Sequence, residues 1–122
     1  MPPAFKATRD VIVRTDRFAE AAHFYESVLG FAIVHRSDSL LGFEAGAFRL
    51  YIEDGPKHGP VFDFLVPGMQ AAKRALLSAG CAVVEEDSSV PRCYIRDPYG
   101  LVFNIEQRRT ADATDDPAHE PV

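Results

Sequence analysis

The sequence lacks several features that would point to particular classes of protein. No apolar run approaches the roughly 20 residues of a membrane span, and residues 1–6 lack the long apolar core of a secretory signal. Cysteine is scarce: Cys81 and Cys93 stand alone in predicted strands, so we expect buried structural thiols rather than redox or metal sites. Nothing resembles a basic stripe, and the formal net charge is −5. We therefore expect a cytoplasmic protein with neither a membrane nor a nucleic acid as partner.

The composition that remains is that of a soluble globular protein. With 122 residues, 47% of them hydrophobic and 25% charged, the chain is long enough to bury one core. The acidic balance suits a cationic small molecule, but it equally suits plain solubility.

One strand–helix–strand pattern occurs twice in the sequence, and the two copies lie about fifty residues apart. Apolar residues at helical spacing run from Phe18 to Leu29 and again over 69–79, and Gly30 and Gly80 close the two helices. Asp16 is the expected N-cap of the first helix. Predicted strands of alternating character occupy 11–15, 31–36, 40–44, 48–53, 61–66, 81–86, 92–96 and 101–107.

The repeat predicts an α+β domain of two βαβββ modules forming a curved mixed sheet around a cleft. We expect a single domain over 1–109, with modules at about 8–54 and 60–108. Residues 1–8 are expected to form a short arm. Residues 110–122 are small, polar and acidic, and we expect them to be a disordered tail.

Two sequence motifs resemble the vicinal oxygen chelate superfamily, which contains glyoxalase I, bleomycin-resistance proteins and extradiol dioxygenases. Phe24-Tyr25 precedes Leu29-Gly30-Phe31, and Asp97-Pro98-Tyr99-Gly100 leads into the last strand. The likeness spans Thr8 to Gln107. It implies the two-module fold and a dimer, and it is closest to the bleomycin-resistance branch. Because this fold hosts several chemistries, the resemblance is less specific for function.

The resemblance also implies where a metal would be held. Metalloenzymes of the superfamily place four ligands, typically His, Glu or Gln, on the first and last strands of each module. The matching positions here are Asp10, Tyr51, Val61 and Asn104. Valine cannot coordinate a metal, and neutral tyrosine and asparagine are poor ligands. We therefore expect neither a metal nor another cofactor.

None of the four histidines falls on a ligand position. His23, His35 and His119 are expected to be surface or packing residues. His58 is expected in the loop over 54–60 that joins the modules, and it could turn toward the mouth of the cavity.

Period-two alternation predicts which strand residues face the cleft. Six of these are the expected ligand contacts: Asp10, Arg49, Tyr51, Asp63, Asn104 and Glu106. Tyr51 would offer a stacking face, and Arg49 would anchor an anion. The alternative is that Arg14 and Arg49 simply form structural ion pairs with carboxylates across the sheet. Phe62, Phe64 and Val66 are expected to pack on a helix.

Further residues have less specific expectations. Leu41 and Phe43, like Arg92, Tyr94 and Arg96, could form the wall or rim of a pocket, or be ordinary strand faces. Asp97 and Gly100 suit a tight turn.

The leading hypothesis is a metal-independent small-molecule-binding protein that resembles bleomycin-resistance proteins. It would sequester a hydrophobic or partly cationic ligand in a cleft, as a homodimer. The alternative is a metal-dependent glyoxalase-like lyase or dioxygenase, with Glu106 or Asp10 as base and His58 as a recruited ligand. A third possibility is a structural module without a ligand.

Overall fold

The computed structural model describes residues 4–90 and 92–107, which form two compact units. Module one consists of residues 9–61. Module two consists of residues 4–8 together with residues 62–107. The predicted tail over 110–122, including His119, lies outside the described residues.

Module one contains the first copy of the repeat. Its elements are β1 (Lys6–Thr15), α1 (Phe18–His23), a π-helical turn (Phe24–Val28), β2 (Ala32–Arg36), β3 (Leu40–Glu44) and β4 (Arg49–Asp54). The first three residues of β1 belong to module two. The strand order is β2-β3-β4-β1, with β1 parallel to β4 and the other pairs antiparallel. The buried core of this module comprises Leu41, Phe43, Leu50 and Ile52, which pack with apolar residues of α1 and the π-helical turn.

Module two repeats this arrangement with β5 (His58–Val66), α2 (Met69–Ser78), β6 (Ala82–Asp87), β7 (Arg92–Arg96) and β8 (Val102–Gln107). The first four residues of β5 belong to module one. The strand order is β5-β8-β7-β6, with β5 parallel to β8 and the other pairs antiparallel. Its buried core comprises Val66, Ala72, Cys93, Ile95, Phe103 and Ile105. The prediction of an α+β fold built from two βαβββ modules is therefore confirmed.

The internal repeat extends to backbone detail. Gly30 and Gly80 follow the two helical segments with φ angles of +75° and +97°, a region that residues with a Cβ rarely adopt. The pairing of β2 with β3 shifts register before His35, and that of β6 with β7 shifts before Glu85. Each register shift lies at the same place in its module.

The N-cap prediction for Asp16 is wrong. The cap of α1 is Arg17, and its side chain makes no capping hydrogen bond. Thr15 Oγ1 instead accepts from the Arg17 N–H at 3.0 Å, so the hydroxyl that orders the entry to the helix comes from the end of β1.

Three further expectations about the core need correction. β1 begins at Lys6, and Phe5 packs against the core of module two, so the residues before position 9 are not merely an arm. Phe62 is 41% exposed, although Phe64 and Val66 on the same face pack as expected. Leu41 and Phe43 belong to the core rather than to a pocket wall, because their cross-strand partners are core residues of β4. No helix in the described part of the chain is long and apolar enough to cross a bilayer.

Candidate functional site

Module one presents a polar sheet face opposite to the face that packs on α1. The parallel register of β1 and β4 sets Asp10 opposite Arg49, Ile12 opposite Tyr51 and Arg14 opposite Glu53. Leu50 and Ile52, which alternate with these β4 residues, lie in the core. The predicted alternation of β4 is therefore the observed one.

A buried ion pair occupies one side of this face. Arg49 is only 1% exposed, and its Nε donates to Asp10 Oδ1 at 2.8 Å. The Asp10 side chain keeps 25% of its surface exposed. The guanidinium thus has a carboxylate partner inside the module, as the ion-pair alternative expected, while the carboxylate remains partly open to solvent.

Two more ion pairs border the same face. Arg14 Nε donates to Glu53 Oε1 at 3.3 Å, and both side chains are half-buried. Arg9 donates to Glu44, whose Oε2 also accepts from the Gly46 N–H. Arg9 holds the pKa of the Glu44 carboxyl below its usual range, chiefly through this hydrogen bond.

Tyr51 lies between these ion pairs, with its ring against the sheet. Its cross-strand partner is Gly42, and a Cβ at Gly42 would lie 2.6 Å from Tyr51 Cε2. The His35 ring lies beside it, 6.3 Å between centroids and tilted by 50°. The sequence analysis missed Gly42 and the place of His35. A glycine inside a strand of apolar residues was the available signal, since it often marks a close approach.

Module two holds a buried carboxylate in a short hydrogen-bond network. Asp63 is 2% exposed; its Oδ2 accepts from Thr8 Oγ1 at 3.0 Å and its Oδ1 from Asn104 Nδ2 at 2.9 Å. Asn104 Oδ1 in turn accepts from the Cys93 N–H at 2.8 Å. Within residues 4–90 and 92–107, the hydrogen-bond partners of this carboxylate are both neutral.

Other polar residues of module two have partners of their own. Arg92 donates to Glu85 at 2.9 Å, and its guanidinium lies 5.4 Å from the centroid of the Tyr94 ring. Glu106 is half-buried on β8, in register with Leu65. Asp97 serves the predicted turn: its Oδ1 accepts from the N–H groups of Tyr99 and Leu101. Its assignment to turn chemistry is confirmed.

The four positions that match metal ligands of the superfamily do not fit a metal ion. Asp10 is paired with Arg49, and Val61 is an apolar residue with 1% exposure. The oxygen and the NH₂ of the Asn104 side-chain amide are both engaged, and Tyr51 offers only a phenol. Among the residues that the structure describes, no three His, Cys, Asp or Glu side chains form a group that could hold a metal. The prediction of a joining loop over 54–60 is wrong in its second half, because β5 already begins at His58. His23 lies on exposed α1 near Ser27.

A shallow pocket of about 240 Å³ lies elsewhere, on the helix side of module one. Its lining residues are Thr15, Arg17, Glu20, Ala21, Phe24 and Tyr25. None of these was a predicted contact. Arg17 and Glu20 form an exposed ion pair in the wall of this pocket, so part of the pocket wall is solvated helix surface.

Comparison with models of protein families shows which family the chain belongs to. A model described as a glyoxalase-like domain matches residues 10–106. The chain belongs to the glyoxalase-like domain family. The predicted resemblance to the vicinal oxygen chelate superfamily is confirmed at this level. No curated protein matches this glyoxalase-like domain significantly.

Solved structures of dioxygenases share the fold of this glyoxalase-like domain. One is the substrate complex of homoprotocatechuate 2,3-dioxygenase from Brevibacterium fuscum, with 3,4-dihydroxyphenylacetate; its TM-score is 0.64 at 15% identity, over 85% of this chain and 37% of that one. Another is the room-temperature structure of an extradiol ring-cleaving dioxygenase from B. fuscum, with a TM-score of 0.60 at 17% identity, over 85% and 33%. The glyoxalase-like domain thus spans about a third of these dioxygenase chains. At such identity the likeness shows the fold alone.

Proposed function

We propose that this glyoxalase-like domain protein binds a small hydrophobic or partly cationic molecule without a metal ion. In this proposal it acts like a bleomycin-resistance protein, sequestering its ligand without changing it chemically, and it works as a homodimer. The six predicted contact residues, Asp10, Arg49, Tyr51, Asp63, Asn104 and Glu106, stay a prediction.

The observation that carries the proposal is the environment of Asp63. A carboxylate with 2% exposure costs several kcal/mol to bury unless a cation balances its charge. Thr8 and Asn104 supply hydrogen bonds to Asp63 but no charge. A ligand that brings an ammonium or another organic cation close to this network would supply a positive charge.

The proposal includes no metal ion because the side chains at the four positions that match metal ligands of the superfamily are poor or engaged donors. The carboxylate of Asp10 neutralises a guanidinium, and the amide of Asn104 bridges Asp63 and the backbone of Cys93. A metal ion at these positions would have to break the Arg49–Asp10 pair or the Asn104 bridge. Breaking a buried pair costs about 3–5 kcal/mol, which is a large part of the stability of a small domain.

A thermal-shift screen tests the proposal with organic ammonium compounds, their neutral isosteres and matched carboxylates. We expect ammonium compounds to raise the melting temperature most, because a ligand that binds only the folded state stabilises it by mass action. The variant Asp63→Asn keeps the shape but removes the charge, and it should lose this preference. Asp38→Asn removes an exposed carboxylate and is the matched control.

Elemental analysis of the purified protein, before and after incubation with Ni²⁺, Zn²⁺, Mn²⁺ and Fe²⁺, tests the metal independence. About one retained equivalent per chain would overturn it and favour the metal-dependent lyase or dioxygenase, with His58 as the first residue to replace. A screen in which no compound of any charge stabilises the protein would contradict ligand binding altogether.

A further inference from the structure

The shallow pocket of module one lies on its helix side, at the end of β1 and along α1. We infer that this pocket binds a small zwitterion with an apolar side chain, for which an aromatic α-amino acid is the simplest example. The Arg17–Glu20 ion pair holds the two charges of the ligand, and Phe24 contacts its side chain. The inference goes beyond the proposed function, because it concerns different residues and does not depend on Asp63.

The helical segment beside this pocket has one residue more than its counterpart in module two. Arg17 and Gly68 are the N-caps of the two helices, and Gly30 follows Arg17 one residue later than Gly80 follows Gly68. The π-helical turn accommodates the extra residue, because its hydrogen bonds span one residue more than those of an α-helix. Module two forms the same arrangement with a regular α-helix, so the fold does not require the turn. Such turns are frequent at functional sites.

The two copies of the repeat also differ in the residues at the pocket. With the N-caps aligned, the lining residues Thr15, Arg17, Glu20, Ala21, Phe24 and Tyr25 correspond to Val66, Gly68, Ala71, Ala72, Ala75 and Leu76. None of these module two residues is charged or aromatic, and Val66 and Ala72 are completely buried. The ion pair and the aromatic rings at the pocket are therefore not required for packing a helix on the sheet.

The ion pair in the pocket wall keeps hydrogen-bonding capacity for a ligand. Arg17 Nε and Nη2 donate to Glu20 Oε1 and Oε2 at 3.0 and 2.8 Å. The guanidinium makes no other hydrogen bond within the described part of the chain, so both N–H groups of Nη1 and the second of Nη2 remain. Each carboxylate oxygen has a further lone pair. A ligand carboxylate can therefore accept from Arg17, and a ligand ammonium can donate to Glu20, while the pair stays intact.

The charges at the pocket favour a zwitterion over an ion of either sign. Arg17 holds the pKa of the Glu20 carboxyl below its usual range, chiefly through the hydrogen bond, so both members of the pair are charged at neutral pH. A simple cation on Glu20 would also approach the guanidinium, and a simple anion on Arg17 would also approach the carboxylate. A zwitterion places an opposite charge against each member of the pair.

Phe24 supplies the apolar part of the pocket. It is 44% exposed, and the described residues that pack against the core of module one do not include it. Its ring meets the Tyr25 ring edge to face at 5.3 Å between centroids, and the Tyr25 ring lies 5.8 Å from that of Phe43 in the core. An anchored neighbour thus holds Phe24 while its surface stays open. The volume of about 240 Å³ is below the ~300–1,000 Å³ of sites for drug-sized molecules, so a ligand as small as an amino acid suits it.

The test titrates the full chain with phenylalanine, 3-phenylpropionate and 2-phenylethylamine. All three have a phenyl ring on a two-carbon chain; the second lacks the amino group of the first, and the third lacks its carboxyl group. NMR of the protein should show chemical-shift changes at Phe24 and Tyr25. Phenylalanine should bind about two- to fivefold more tightly than either analogue, the range expected for one exposed ion pair.

Variants that remove one charge assign the two polar contacts. Arg17→Gln should remove the advantage of phenylalanine over 2-phenylethylamine, and Glu20→Gln should remove its advantage over 3-phenylpropionate. Arg36→Gln and Asp38→Asn change exposed charges elsewhere in module one and are the matched controls, which should leave both ratios unchanged.

Phe24→Ala should weaken all three ligands, whereas Leu77→Ala, at an exposed apolar position of α2, should weaken none. Equal affinity for phenylalanine and either analogue, or advantages that survive the charge-removing variants, would overturn the inference. So would shift changes confined to other residues, or the failure of all three ligands to bind. The proposed function is judged separately, by the thermal-shift screen and its Asp63 variant.

Discussion

Replacing Asn104 by alanine tests whether the buried network of module two holds the strands together. Asn104 accepts from the Cys93 N–H at 2.8 Å and donates to Asp63 at 2.9 Å, and both bonds are buried. A buried N–H left without an acceptor costs about 1–3 kcal/mol, and a lost bond to a charged group about 1.5–3 kcal/mol. We therefore expect Asn104→Ala to lower the free energy of unfolding by about 3–5 kcal/mol.

Asn104→Asp separates the two bonds of this network. The new carboxylate keeps the shape and can still accept from the Cys93 N–H, but it replaces the donor to Asp63 with a second negative charge. Two carboxylates so close cannot both ionise, so one of them has a raised pKa in the folded variant. The folded variant then binds more protons than the unfolded chain, and its stability falls as the pH rises. Its deficit relative to wild type should be larger at pH 8 than at pH 5.

Urea unfolding followed by circular dichroism at both pH values measures these effects. Asn104 is the only asparagine in the chain, so its side-chain NH₂ signal can be followed without ambiguity by NMR. Gln70→Ala, at an exposed position of α2, is the control and should change stability little. A cost below about 1 kcal/mol for Asn104→Ala would refute the reasoning. So would a deficit of Asn104→Asp that is independent of pH.

Two further predictions concern titrating side chains. Burial raises the pKa of the Cys81 and Cys93 thiols, so both should react slowly with a disulfide reagent at pH 8 until urea exposes them; rapid labelling of the folded protein would contradict this. Because these pKa values are higher in the folded state, the contribution of the thiols to stability is lost as the pH rises above about 8.5. The Arg9 guanidinium lowers the pKa of Glu44, so the stabilisation from that pair is present above pH 4.5 and is lost as the pH falls. Urea titrations should therefore show wild type and Glu44→Gln differing most at pH 7 and converging toward pH 3, whereas a constant gap would show that the pair does not stabilise the fold.

Much of the fold could be predicted because local signals and the repeat agreed. The alternation of Leu50 and Ile52 with polar neighbours gave the faces of β4, and the glycines at 30 and 80 marked the helix ends. Elements with a strong period were placed to within a residue or two at most ends. The exceptions are β1 and β5, which begin at Lys6 and His58, several residues before their predicted starts.

The site was less predictable because its geometry depends on cross-strand register. Asp10 and Arg49 were both named, but only the parallel pairing of β1 with β4 shows that they neutralise each other. The contact of Tyr51 with Gly42 likewise requires knowing which residue of β3 faces β4. Phe62 was wrongly assigned to the core because alternation tells which face a residue lies on, not how far the helix on that face reaches.

The equivalent cross-strand pairs of the two modules carry their large and small residues on opposite strands, and this affects the order in which one pair could mutate into the other. Module one has Gly42 with Tyr51, and module two has Tyr94 with Asn104. To convert the first pair into the second, Tyr51→Asn is the step that can come first without a steric conflict. In the reverse order Gly42→Tyr would place a side chain where even a Cβ lies 2.6 Å from Tyr51 Cε2, so the Tyr51 ring would have to move. Stepwise change at this pair therefore favours the order that begins at position 51.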